Sequence, residues 1–248
     1  MNFVVFGVIL ICCHAWAIEI DDNFAAILFD GFKINLENFF EKFKSSLQNG
    51  TNGFKIYGIP IHDPFIANRL PIKYNLSTFM GNIDLEGFLE NFNVSGLTSY
   101  NVNSAKFKPF SLNAYIDVNW PWLTVASTNY SLKGNALNYD IYGDGDINGT
   151  LYNFRTIMNV DFNLKDRHMQ VQTIATKIFL EALDFNVTGL YNNEDMSETF
   201  SKTLSDVTPK LIVANQKMIE YIINNIATRI FNKFLSTITF LDLLKAIG

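Results

Sequence analysis

The chain has 248 residues, 48% hydrophobic and 15% aromatic with 23 Phe, which demands a large apolar core and argues against disorder. The formal net charge is −5, and no cluster of Lys and Arg is dense enough to neutralise phosphates, which argues against a nucleic-acid partner and, less strongly, against electrostatic attachment to anionic membranes.

Residues 1–17 read MNFVVFGVILICCHAWA. The apolar run Phe3–Cys13 is too short to span a bilayer, and Ala15-Trp16-Ala17 follows it as an A-x-A cleavage pattern. This predicts a secretory signal peptide over 1–17 and a mature product starting near Ile18. Both cysteines, Cys12 and Cys13, fall inside that signal. The mature chain is then without disulfides, and its core must hold without staples. Only His62 and His168 remain of the histidines.

Asp22–Gln48 is predicted as one helix, because Phe24, Leu28, Phe32, Leu36, Phe39, Phe43 and Leu47 recur every three or four residues. Asn49-Gly50 would stop it. The segment IPIHDPF (Ile59–Phe65) reads as an extended linker. After it the period falls to two, with Ile72, Tyr74 and Leu76 alternating with Lys73, Asn75 and Ser77. Ile83, Leu85 and Leu89 share one parity and Phe92 and Val94 the other, so a bulge is expected near Glu90-Asn91. Phe110–Trp120 reads as a strand with Phe110, Leu112, Ala114, Ile116, Val118 and Trp120 inward. Leu137, Tyr139 and Ile141 follow. Met158, Val160, Phe162 and Leu164 then face inward, and Val171–Leu190 continues alike. Few helical signals interrupt these strands, so antiparallel connections are expected, with one face wet and one dry.

From Ser205 the helical period returns, with Pro209 expected in the first turn. Leu211, Met218 and Ile222 form one stripe, and Ile212, Ile219, Ile223, Ile226, Ile230 and Phe234 an adjacent one. A short amphipathic tail, Phe240–Ile247, closes the chain. No composition break divides residues 18–248, so one domain is expected.

FNVSGL at Phe92–Leu97 reappears as FNVTGL at Phe185–Leu190. Each copy holds a glycosylation sequon. The six sequons are at Asn49, Asn75, Asn93, Asn129, Asn148 and Asn186. Asn49 and Asn148 are expected in turns, and the others on the polar parity of strands. The repeat then reads as Phe and Val pointing inward, Asn and Ser or Thr outward, and Gly supplying a bend.

No metal-ligand, nucleophile-elbow, P-loop or dinucleotide motif occurs. DGDINGTLYNFR (Asp144–Arg155) fits the first positions of a calcium loop but ends in Arg155 where a bidentate Glu is needed, so it reads as a hairpin turn. Trp120-Pro121-Trp122 is either an exposed aromatic clamp or a bent strand with half-buried rings. No catalytic set, metal or cofactor is expected.

IPIHDPF, NIDLEGFLENFNVSGL (Asn82–Leu97), LNYDIYGDGDING (Leu137–Gly149) and LDFNVTGLYNNEDMSETFSKTLSDVTPKLI (Leu183–Ile212), in this order and spacing, resemble the insect takeout and haemolymph juvenile-hormone-binding proteins and the group 7 mite allergens. The chain departs from takeout proteins in lacking an N-terminal disulfide, which leans towards the allergen-like branch. The resemblance implies an α+β tubular lipid-binding roll: a long helix wrapped by a highly curved antiparallel sheet around an apolar tunnel, with a second long helix at the C-terminus. The inward stripes would line it. These are Phe32, Leu36, Phe39 and Phe43, then Leu112, Ile116, Trp120, Val160 and Phe162, then Met218, Ile222 and Ile226. Three functions compete. They are a secreted carrier of a small hydrophobic ligand (terpenoid, fatty acid or sterol-like), a surface-recognition protein for microbial lipid or a protein partner, and a lipid-ester hydrolase.

Overall fold

Two very long strands form the spine of the computed structural model, which describes residues 18–20, 36–50, 54–56, 58–78, 81–136, 139–237 and 239–241. The elements run β1 (Ile18–Ile20), α1 (Leu36–Gln48), β2 (Phe54–Ile56), β3 (Ile59–Pro60), β4 (Phe65–Thr78), β5 (Gly81–Ser95), β6 (Asn101–Lys108), β7 (Asn113–Ala136), β8 (Tyr139–Lys165), β9 (His168–Phe179), β10 (Ala182–Val187), α2 (Glu194–Ala214) and α3 (Gln216–Leu235). β1, β2 and β3 make a small separate sheet, so part of the expected linker is paired strand. The rest belong to one seven-stranded antiparallel sheet in the order β10-β8-β7-β5-β4, with β6 also on β7 and β9 also on β8.

β7 and β8 pair from Asn113↔Asp161 to Ala136↔Tyr139. Each outlasts its neighbours, so each takes two partners in succession. β7 meets β6 along Asn113–Asn119 and β5 along Thr124–Ala136. β8 meets β10 along Ile147–Tyr152 and β9 along Arg155–Lys165. The sheet therefore has an upper half (β4, β5, β7, β8, β10) and a lower half (β6, β7, β8, β9). Pro121 falls between the last β6 pair and the first β5 pair, where its missing N–H breaks no ladder bond.

The upper half is filled by a conventional core that includes Phe65, Leu70, Ile83, Leu85, Tyr130 and Leu132. Leu89, Phe92 and Val94 all pack on it, as the parity change in the sequence requires. The expected bulge is absent from the β4–β5 pairing, which keeps one register from Ala67↔Phe92 to Arg69↔Glu90. Asn91 instead turns the chain with φ +47, and the register shift lies one strand further on, between Ser127 and Tyr130 of β7, beside Asn129 at φ +74. Glu90 holds this kink, accepting from Arg69 at 2.8 Å and from the Asn129 side chain at 2.7 Å.

α1 is described from Leu36 onward, so Asp22–Asn35 of the expected helix lies outside the described residues. It ends at Gln48, and Gly50 adopts φ +65 in the turn that follows. The expected helix start at Ser205 is wrong. α2 begins at Glu194, with the Asn193 carboxamide oxygen capping the Met196 N–H at 2.9 Å, and Pro209 lies inside the helix. Its early turns look polar because their serines face inward. Ser197, Ser201 and Ser205 accept from the N–H groups of Leu190, Val187 and Phe185, each at 2.9 Å. β10 is the sheet edge here, and this ladder covers its open donors. The expected single C-terminal helix is in fact two, broken at Asn215, whose side chain donates back to the Leu211 carbonyl at 2.9 Å.

Candidate functional site

The lower half is built differently. Its four strands curve around a space that α1 and α3 close. This leaves a cavity of about 490 Å³, within the size range of small-molecule sites. α1 lines it with Leu36, Phe39, Phe40 and Phe43. The sheet contributes Ile116, Val118 and Trp120 from β7, Met158, Val160 and Phe162 from β8, Phe107 from β6 and Met169 from β9. α3 presents Ile223, Ile226, Ala227, Ile230, Phe231 and Phe234. Among the described residues Thr156 is the one hydroxyl-bearing side chain of the lining, and no titratable group borders the space.

Period two explains the strand contribution, because Ala114, Ile116, Val118 and Trp120 share one face and Asp117 takes the other. On that outer face the buried Asp117 carboxylate accepts from Arg155 Nε at 2.8 Å and Nη2 at 2.6 Å, and from Asn103 at 3.0 Å. The Arg155 guanidinium holds this carboxyl below the usual carboxylate range against the opposing effect of burial, and Asn103 adds to the depression. Tyr100 fixes α1 over the cavity. Its hydroxyl donates to the Phe40 carbonyl, its ring meets Trp120 edge-on at 5.6 Å, and the Lys44 ammonium lies 4.7 Å from its ring centre. Burial pushes the Tyr100 phenol up, and Glu41 adds to the shift. The Trp120 indole donates to the Leu97 carbonyl at 3.2 Å, whereas Trp122 lies outside against Gly96. The Trp-Pro-Trp motif thus splits across the sheet, with one ring in the lining and one half-exposed.

Of the sequence-predicted lining, Leu36, Phe39, Phe43, Ile116, Trp120, Val160, Phe162 and Ile226 border the cavity, and Phe32 lies outside the described residues. Leu112 does not border it. It sits in the β6–β7 turn at φ +48 and packs against Met169 and Leu235. The strand starts at Asn113, so Phe110 is also displaced from its expected inward position and stands fully exposed in the turn. Met218 and Ile222 are likewise not in the lining. The break at Asn215 sets the roll of α3, and the neighbouring stripe of Ile223, Ile226, Ile230 and Phe234 faces inward. Phe40 and Phe231 were missed because each stands beside the strict period, and Phe107 because β6 drew no strand reading. Thr156 had a readable signal, being a polar residue on the inward parity of Phe154 and Met158.

Asn49, Asn75, Asn129, Asn148 and Asn186 are exposed and Asn93 is half-buried. Asn148 sits in β8 and not in a turn, and the whole Asp144–Arg155 calcium-like stretch is strand. Asp146 there accepts from the Asn129 N–H at 3.0 Å. Among the described residues no cluster of three or more His, Cys, Asp or Glu is arranged to hold a metal. The repeat has a structural sense. Its two copies end β5 and β10, on opposite sides of the β7–β8 pair. Pairing puts Asn93, Ala126, Asn148 and Asn186 in one row across the outer face. Gly96 and Gly189 leave the strands at φ +88 and +67, and a Cβ on Gly189 would lie 1.7 Å from the Asp144 carbonyl oxygen.

Over residues 8–245 the sequence matches the family model described as haemolymph juvenile hormone binding protein. The chain belongs to this family. A crystal structure of Takeout 1 from Epiphyas postvittana superposes with a TM-score of 0.51 at 19% identity, covering 84% of this chain and 96% of that one. This likeness establishes the α+β roll, with a large antiparallel sheet that does not close into a barrel and a C-terminal pair of helices. A lipopolysaccharide-binding protein structure matches at a TM-score of 0.37 and 10% identity, covering 82% of this chain and 40% of that one. No curated protein sequence matches the chain. The family is one of binding proteins, named for juvenile hormone. No described helix is long and apolar enough to cross a membrane.

Proposed function

We propose that the protein is a secreted carrier of one small hydrophobic lipid, a terpenoid, fatty acid or sterol-like molecule, held between α1, α3 and the lower half of the sheet. Residues 1–17 would direct export, and residues 18–248 would fold as one domain. The observation that carries this reading is the 490 Å³ cavity whose described lining residues are apolar except for Thr156. An apolar space of this kind stays dry and gains free energy by taking in hydrocarbon. Among the described residues no titratable group borders the cavity, which supports binding over acid–base chemistry on the guest. Selectivity follows length and shape, with a single hydrogen bond available at Thr156. Juvenile hormone belongs to this ligand range through the family name.

The experiment is native purification of the protein secreted from insect cells, followed by intact and solvent-extracted mass measurement. A lipid released only on denaturation is expected. A folded protein that yields no lipid, and takes up no fluorescent fatty acid from solution, would refute the carrier. The same intact mass reports glycans. Enzymatic deglycosylation should lower it, and the row of Asn93, Asn148 and Asn186 would make the outer face of the sheet a sugar-covered side.

A further inference from the structure

The lower end of the roll, where the β6–β7 and β8–β9 hairpins reverse, carries exposed apolar side chains together with cations. Phe110 stands at the tip of the first hairpin with 103% of its surface open to water. Leu164, on the cavity-facing parity at the end of β8, is 49% exposed, and Leu241 is 60% exposed. Soluble proteins do not gather such side chains at one place without use. Backbone bonds tie the three sites together, from Phe162 N–H to the Leu112 carbonyl at 2.8 Å and from Phe240 N–H to the Arg167 carbonyl at 2.7 Å. Leu112, Phe162 and Phe240 share one packed cluster with Met169 and Leu235, which themselves line the cavity. The exposed apolar tip and the lower wall of the cavity are therefore two sides of the same cluster.

Charge points the same way. Lys108 ends β6, and Lys165 and Arg167 flank the second reversal, all three exposed. Asp166 is the one carboxylate in these two turns. None of the three cations forms an ion pair among the described residues. They collect at this end although the chain as a whole carries −5. An exposed aromatic ring with cations on the same pair of hairpins matches a bilayer interface, where the ring enters the acyl region and each cation meets an anionic headgroup.

We propose that this end docks on lipid bilayers bearing anionic headgroups, with Phe110 inserted and Lys108, Lys165 and Arg167 against the phosphates. Docking would set the lower wall of the cavity against the membrane, so that a guest exchanges without crossing water. That exchange role rests on the carrier reading, whereas the docking itself does not.

The test is flotation of the purified protein with vesicles of phosphatidylcholine, alone or with about 30% phosphatidylserine, at low and at high salt. The protein should float with the anionic vesicles and lose most of that binding at high salt. Phe110→Ser should weaken binding about tenfold, and the charge-reversed pair K108E and K165E should remove the preference for phosphatidylserine. Both alter exposed side chains, so thermal melts should match wild type. Wild type that floats with neither vesicle, or F110S that floats like wild type, would overturn the proposal. Uptake of fluorescent fatty acid in free solution separates the two readings. Uptake without flotation leaves the carrier and removes the docking, and flotation that depends on Phe110 without uptake does the reverse.

Discussion

At the scale of single residues, the cavity is open to a direct test at Ala227. This alanine on α3 borders the space, so Ala227→Trp would push a ring into the cavity. Overpacking cost should be small because the ring enters a void. Fatty-acid affinity should fall at least about tenfold while the thermal midpoint holds. Wild-type affinity in this variant would place the guest elsewhere. On the outer face, Asp117 gives a pH prediction. Its folded-state carboxyl titrates below the unfolded value of about 4, so its contribution is fully present above that pH and is lost as pH falls through the folded value. Asp117→Asn should therefore show a shallower loss of melting temperature in acid than wild type. At neutral pH it should cost about 1 kcal/mol, because Arg155 is 43% exposed and water screens much of the pair. Some acid slope should remain, since Asp161 is depressed through bonds from Asn113 and Thr173. Identical slopes in the two proteins would deny Asp117 that role. Sequence alone marked Asp117 as outward but could not give its partners. Arg155 comes from β8 and Asn103 from β6, residues that meet only once the register of three strands is set.

At the scale of elements, the contact of α2 with β10 shows why the helical period misplaced a helix start. The segment from Asn193 to Ser205 has few apolar residues to mark a buried face. Besides Leu204, its buried positions are Ser197 and Ser201, four residues apart and facing the open donors of an edge strand, and hydrophobic periodicity is blind to them. Ser201 is the central rung, buried with 5% of its surface exposed. Ser201→Ala removes the hydroxyl that accepts from the Val187 N–H without adding bulk, leaving a buried donor without a partner. The expected cost is about 1–3 kcal/mol in denaturant unfolding. Amide exchange at Val187 should quicken more than global destabilisation explains. A variant of wild-type stability would mean that water replaces the hydroxyl. Much of β4, β5, β7, β8 and β9 was legible, because alternation survives wherever one face is dry, but β6 drew no reading and Asp144–Arg155, read as a hairpin turn, is strand. Alternation failed at Phe110 and Leu112, where a turn follows the same alternation by accident. The kink at Asn91 was legible as a change of parity but not as a backbone device, since a bulge and a left-handed asparagine leave the same trace in sequence.

At the scale of the whole molecule, β7 and β8 run through two compartments with opposite fillings. Above, side chains from both faces of the fold meet in a closed core. Below, the same inward parity borders a space. Sequence cannot separate these, because an inward Ile beside another side chain and an inward Ile beside a cavity look alike. The division has a consequence for how ligand acts on the fold. A guest held in the cavity would touch α1, α3 and the lower strands and none of the upper core residues. Saturation at about a hundred times Kd would add about 2.7 kcal/mol to global stability. Amides that open only by global unfolding would gain all of it, while amides that open by local fluctuation gain only where the guest is lost on opening. α1 and α3 lie at the edges of the lower sheet, and α1 is held there largely by the cavity-side cluster of Phe40, Phe43, Tyr100 and Trp120. Local opening of either helix would break the wall around the guest. Hydrogen exchange of delipidated and lipid-loaded protein should therefore show the largest slowing in α1 and α3. Locally opening amides in α2 and in the β4–β5 hairpin should change little. Slowing concentrated in the upper half would place the guest away from the cavity. A uniform change across both halves would mean that all measured amides open globally, and a repeat at lower stability, in mild denaturant, would show whether α1 and α3 still stand apart.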